Sequence, residues 1–190
     1  MNAMMVHVRQ ATMQDAASIA RIDVETWRAT YAGMLPDRLL VGLSAGRRAS
    51  TWAMELSRHP ADILVAENEK HEILGFGSCG AQRSARIDYG GEIYTLYVTP
   101  DLQGNGIGRQ LLLGLFSRLL RAGHNSAALW VLQGNPSRYF YERLGGTLAL
   151  RKSMTVGGQT VEAVAYGWLD LPTVLHQQAR ATHRPGEGEA

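Results

Sequence analysis

The segment "EIYTLYVTPDLQGNGIGRQLLLGLF", residues 92–116, constrains this chain more than any other. A β-branched and aromatic run stops at Pro100, three glycines follow at alternate positions (Gly104, Gly106, Gly108), and a leucine-rich amphipathic stretch begins at once. A strand, a glycine turn and a helix start in that order make an anion site. The first helical N–H groups have no intrahelical partners, the helix dipole favours negative charge there, and glycines remove the Cβ atoms that would hold a phosphate away. Residues Gln103 to Arg109 are therefore expected to cradle a phosphate or pyrophosphate. Two common phosphate motifs do not fit. The third glycine position of G-x-G-x-x-G, counted from Gly104, holds Arg109, and no Gly-Lys pair exists for a P-loop.

Around this segment the periodicity describes one mixed α/β (α+β) domain. "VHVRQA" alternates as a first strand, and Thr12 and Asp15 form a capping box for a helix whose apolar residues are Ala16, Ala20, Val24, Trp27 and Tyr31. A short helix and a longer one are expected over residues 36–58. "ADILVAEN" and "HEILGFGSCGAQ" read as antiparallel strands. The glycine segment then supplies a strand and a helix from about Gly104 to Ala122, stopped at Gly123. "SAALWVLQ" is a further strand, and Asn135 and Pro136 are expected as N-cap and first residue of the next helix. "TLALRKSMTV" and "QTVEAVAYGWL" close the domain as a hairpin around Gly157 and Gly158. Residues 1–170 form the domain in this reading, and 171–190 a polar, partly disordered tail.

Composition narrows the function classes. A net charge of +2 over 190 residues, without a Lys/Arg block, gives no footprint for nucleic acid. The single cysteine, Cys79, allows no internal disulfide, and the start "MNAMMVHVRQ" lacks a signal peptide's apolar core. No apolar run is long enough to span a membrane, and the lone cysteine fits a reducing cytosol, so a cytoplasmic location is expected. The six histidines are scattered, with no metal-ligand spacing, and no metal is expected. "GLSAG", residues 42–46, matches the hydrolase elbow G-x-S-x-G. It is preceded by a helix pattern rather than a buried strand, so Ser44 is expected in a helix-to-helix turn.

Gln103-x-x-Gly106-x-Gly108, between "EIYTLYVTP" and an amphipathic helix, resembles the acetyl-CoA motif Q/R-x-x-G-x-G/A of the GCN5-related N-acetyltransferases. "NPSRYFYERLGG" is similar to that family's second cofactor motif, and "TWRATYAGMLPD" to the helical region flanking its acceptor site. The order of elements matches from about residue 6 to 168.

The resemblance implies a mostly antiparallel sheet of about six or seven strands, with a splayed central parallel pair and about four flanking helices. It implies transfer of the acetyl group of acetyl-CoA to a primary amine by direct attack in a ternary complex. Leu96, Tyr97 and Val98 would offer backbone groups to pantetheine and the thioester. The turn Gln103, Gly104, Asn105, Gly106, Ile107, Gly108 and Arg109 would hold the pyrophosphate, with Asn135, Ser137 and Tyr141 reaching the cofactor from the second motif. Tyr141 corresponds to the family's tyrosine acid. Glu92 is a candidate base, placed by strict alternation on one strand face with Tyr94, Leu96 and Val98. Proton loss to water is the alternative, and the position where some relatives carry a basic glutamate holds Trp130. Trp27 and Tyr31 are candidate acceptor contacts. The acceptor, a small-molecule or peptide amine, is not legible in the chain. A homodimer is compatible with the family, though no residue demands one. The competing reading is a non-catalytic acyl-CoA-binding module of the same fold.

Overall fold

The computed structural model describes residues 5–182. Among these described residues seven strands form one sheet in the order β1-β2-β3-β4-β5-β7-β6. These are β1 (Val6–Gln10), β2 (Ile63–Asn68), β3 (Ile73–Ala81), β4 (Gly91–Val98), β5 (Ala127–Leu132), β6 (Thr147–Val156) and β7 (Gln159–Trp168). All neighbours run antiparallel except β4 and β5. The helices are α1 (Ala16–Thr30), α2 (Asp37–Val41), α3 (Ala45–Arg58), α4 (Ile107–Arg121), α5 (Arg138–Arg143) and α6 (Leu171–Thr182). Among the described residues no helix is long and apolar enough to cross a membrane.

Two apolar clusters hold the helices on opposite faces. Leu64, Leu74 and Cys79 pack against α4, whose Leu111, Leu112, Leu115, Phe116 and Leu119 are all buried; Leu74 joins that face because the β2–β3 register shifts beside it. The intervening Val65 and Phe76 meet Ile19 and Ile22 of α1 and Trp52 and Leu56 of α3. Local signals are met where expected. Thr12 and Asp15 form their capping box, Gly123 ends α4 with φ +89°, and Gly157 and Gly158 turn the last hairpin with φ of +59° and +84°. Ser44 is the N-cap of α3, accepting the Arg47 N–H at 3.4 Å.

Four expectations need correction. Helix α4 begins at Ile107 rather than Gly104, because Gly104 (φ +82°) and Gly106 (φ +80°) are left-handed and cannot be helical. Asn135 does not cap α5, which starts at Arg138; its Oδ1 instead accepts the Ser137 N–H at 2.8 Å and closes a local turn. The expected polar tail from residue 171 is helix α6 as far as Thr182, with Leu171 fully buried against the main core. The remainder of that tail, 183–190, lies outside the described residues. Finally, alternation along β4 is broken. Ser78 faces Thr95 and Cys79 faces Ile93, which leaves Tyr94 as an extra residue, a β-bulge. Beyond it Leu96 and Val98 turn to the α4 side, where they pack against the main core. Glu92 stays on the opposite face.

Candidate active site

The site is built where β4 and β5 part. They pair only at Gly91–Ala127, Glu92–Ala128 and Ile93–Leu129, although both strands continue beyond. Past this point the β5 side of β4 faces a gap. Thr99 N–H donates to Leu74 O of the β3 side at 2.9 Å. By antiparallel alternation the main-chain groups of Tyr97 then also turn to β3, and those of Leu96 and Val98 turn into the gap. Val98 O is engaged there by Thr26 Oγ1 at 3.4 Å and Gln103 Nε2 at 3.2 Å.

At the α4 end of the gap lies a cleft of about 380 Å³. The helix start that faces it has no side-chain cap. A Cβ at Gly104 or Gly106 would meet nothing within 4 Å, so the glycines are required by their positive φ and leave the main chain open to a ligand. Leu96, Val98, Gln103, Gly104, Gly106, Gly108, Arg109, Ser137 and Tyr141, all expected at the cofactor, line this cleft together. Asn105 and Ile107 do not. Asn105 Nδ2 donates back to Leu102 O at 3.1 Å, and the Ile107 side chain is core, 1% exposed.

A second cavity, of about 70 Å³, lies in the gap towards α1 and shares Leu96, Val98, Gln103, Ser137 and Tyr141 with the cleft as lining. Asn135, Tyr97 and Tyr31 line it. Burial pushes the Tyr31 hydroxyl up, with the Asn135 and Tyr97 side chains beside it pulling the other way. Trp27 stands behind this wall, edge-on to Tyr31 at 5.0 Å, and its indole N–H donates to Tyr97 Oη at 3.1 Å.

Tyr141, on α5, reaches both cavities. Its ring is buried among Phe140, Tyr166 and Trp168, and its hydroxyl has no hydrogen-bond partner among the described residues. Burial holds that hydroxyl above the ordinary tyrosine range. Glu92 is placed differently. It is 3% exposed, lines neither cavity, and is held by Arg83: Nη2 and Nε donate to Oε1 at 2.6 and 3.2 Å, and the Arg83 main-chain N–H to Oε2 at 3.0 Å. Arg83 in turn stacks on the Tyr94 ring, 3.8 Å from its centroid.

Sequence reasoning missed Leu102, Phe140, Arg143 and Leu144 in the cleft and Thr26 in the gap. Thr26 left a legible trace: with Ile19 and Ile22 it forms a stripe at helical spacing in which it alone is polar. Among the described residues no three His, Cys, Asp or Glu side chains are grouped to hold a metal.

Comparison with known proteins agrees with this geometry. Residues 84–156 match the family model described as FR47-like protein. The N-acetyltransferase YuaI of Bacillus subtilis is 34% identical over 167 residues, covering 88% of this chain and 95% of that protein. The L-methionine sulfoximine/L-methionine sulfone acetyltransferase of Pseudomonas aeruginosa is 32% identical over 128 residues, covering 67% of this chain and 70% of that one. The fold is that of YncA from Salmonella typhimurium, solved with its cofactor acetyl-CoA, at a TM-score of 0.65 and 24% identity, covering 87% of this chain and 95% of that structure. Identity at that level through nearly the whole of YuaI, on a sheet that parts beside an uncapped glycine turn, means that the chain belongs to the GCN5-related N-acetyltransferase superfamily.

Proposed function

We propose that the protein transfers the acetyl group of acetyl-CoA to a primary amine by direct attack within a ternary complex. The observation that carries this reading is the wall that the cleft at the α4 start shares with the cavity in the β4–β5 gap, Tyr141 lining both. The first-turn N–H groups of α4 bind the pyrophosphate, and pantetheine lies along the unpaired edge of β4. The Val98 N–H, turned into the gap, is the donor for the oxyanion that forms when the amine attacks the thioester carbonyl. As the C–S bond breaks, Tyr141 gives its proton to the leaving thiolate, the attacking nitrogen releases its extra proton to water, and Tyr141 is reprotonated from solvent. A hydroxyl held protonated by burial and without another partner suits that task.

The attacking amine must first lose a proton, since alkyl ammonium groups have a pKa of about 10. No carboxylate lines the second cavity, and both oxygens of Glu92 are engaged by Arg83. Proton loss to water is therefore preferred to Glu92 as base, and Glu92 becomes a brace for the start of β4. Tyr31 contacts the acceptor while Trp27 orients the wall behind it. The acceptor is a small-molecule or peptide amine. The Pseudomonas relative acts on amino-acid derivatives, which puts such amines first in a screen.

Calorimetric titration with acetyl-CoA, with NAD as control, tests the donor site. Micromolar binding of acetyl-CoA alone is expected, followed by CoA thiol release when an acceptor panel is supplied. Absence of binding would remove the enzyme reading. Binding with no thiol release across the panel would favour an acyl-CoA-binding module.

A further inference from the structure

Among the described residues, none that lines the second cavity carries a charge. The cations stand around it instead, each on the face of an aromatic ring. The Arg83 guanidinium lies 3.8 Å from the centre of the Tyr94 ring and Lys152 Nζ lies 3.8 Å from that of Trp130. Both rings line the cavity. The Arg48 guanidinium lies 5.5 Å from the centre of Trp27, behind the Tyr31 wall.

Both arginines are compensated. Arg83 Nη2 holds Glu92 at 2.6 Å, and Arg48 Nε stands 3.6 Å from Asp23 Oδ2, which also accepts the Trp52 indole N–H at 2.9 Å. Lys152 pairs with no carboxylate among the described residues. An indole face attracts an ammonium but has no net charge to cancel it. The lysine reaches Trp130 across β7, where Ala165 stands opposite Trp130 and Ala163 opposite Lys152. Both alanines are buried on that face, and their methyl groups leave room for the apolar stem to cross.

An acceptor entering the gap brings the amine that reacts. A second ammonium on it would meet no carboxylate in the cavity wall, and the buried carboxylates nearby, Asp23 and Glu92, are already held. It would also face Lys152 across the Trp130 ring. An anion on the acceptor would be matched there, and one ammonium suits the single charge of a carboxylate. Leaving a charge unpaired in a narrow gap is costly, so the arrangement discriminates between amines by what else they carry. We propose that the acceptor is an amine that also carries a carboxylate, received by the Lys152 ammonium on the Trp130 face. The proposal rests on the reading of the β4–β5 gap as the place of acetyl transfer.

The test is kcat/KM by thiol release from acetyl-CoA on the full chain. The acceptors are glycine, β-alanine and 4-aminobutyrate, each beside its amide, and 1,4-diaminobutane. The lengths vary the reach from amine to carboxylate. An amide holds its ammonium proton less tightly than the acid does, so a preference for the acid does not come from amine basicity. In the parent, at least one acid is expected to exceed its amide and the diamine by about tenfold. Lys152→Met keeps an apolar stem on Trp130 and should bring acid and amide within about twofold, by raising KM for the acid with kcat held. Lys152→Glu should reverse the order and favour the diamine. Acetyl-CoA affinity and the thermal midpoint should hold in both variants. Amides or the diamine matching the acids in the parent, or an unchanged preference in either variant, would overturn the proposal and leave acetyl transfer standing, since thiol is still released. Acetyl-CoA binding without thiol release from any of these amines overturns it as well. Failure to bind acetyl-CoA removes the transfer reading and the proposal together.

Discussion

Ile93 of β4 and Leu129 of β5 are the last two residues to face each other across the parallel pair. One residue later, Tyr94 bulges out of register with β3. The sheet thus loses its β5 ladder and changes the facing of β4 at one place. The gap and the separation of Glu92 from Leu96 and Val98 both follow from that coincidence.

Gly106 should tolerate no side chain at its φ of +80°, although space is open around it. Gly106→Ala is expected to cost about 1 kcal/mol of stability, the penalty for an L-residue in the left-handed region. Acetyl-CoA affinity should fall about tenfold or more, since the turn must reshape to relieve the strain. Thermal unfolding and calorimetry on the same sample measure the two effects.

Tyr141→Phe keeps the ring among Phe140, Tyr166 and Trp168 and removes only the hydroxyl. Turnover, followed by thiol release, should drop about 100-fold, with stability and acetyl-CoA affinity little changed. Because burial raises this hydroxyl above the ordinary range, it stays protonated at neutral pH. Any titration in the rate profile of the parent between about pH 6 and 9 therefore belongs to another group.

Arg83→Ala should be more damaging than Glu92→Gln. The first leaves a carboxylate 3% exposed without its cation, a loss of about 1–3 kcal/mol. The second removes charge and keeps an oxygen acceptor, so stability should fall by about 1 kcal/mol or less and turnover stay within about threefold. Urea unfolding and thiol release report both quantities. A 100-fold loss of turnover in a well-folded Glu92→Gln variant would restore Glu92 as the base.

Acid should weaken the fold through Arg9, which bonds Asp15 at 2.8 and 3.0 Å and Glu67 at 2.9 Å. Burial alone would raise Asp15, but Arg9 and Thr12 outweigh it and hold the carboxyl below its usual value. Glu67 is lowered by Arg9 against a smaller opposing effect of burial. Groups depressed in the folded chain give stability that is complete above their unfolded pKa, about 4, and lost as pH falls through the lower folded values. Asp23, raised by burial against the Trp52 and Arg48 contacts, works in the opposite sense. The urea midpoint should fall below about pH 4, and more shallowly in Arg9→Met.

Much of the glycine turn was legible because its requirements are local. Gly104 and Gly106 need positive φ whatever packs nearby, and the Leu111–Leu119 stripe declares its helix by spacing alone. Helix α6 left weaker traces, an Asp170 cap and three apolar residues at helical spacing, within a tail whose polarity reads as disorder.

The sequence by itself determined the order and type of most elements, the turn glycines and the helix start that follows them. These depend on backbone sterics and side-chain periodicity within a few residues. Tertiary structure alone decided the bulge at Tyr94, which moved Leu96 and Val98 off the face that strict alternation shared with Glu92. It also decided the capture of Glu92 by Arg83 and of Arg109 by Gln178, 69 residues away. Such contacts depend on where a packed sheet brings distant side chains, and period-two or helical spacing carries no information about that.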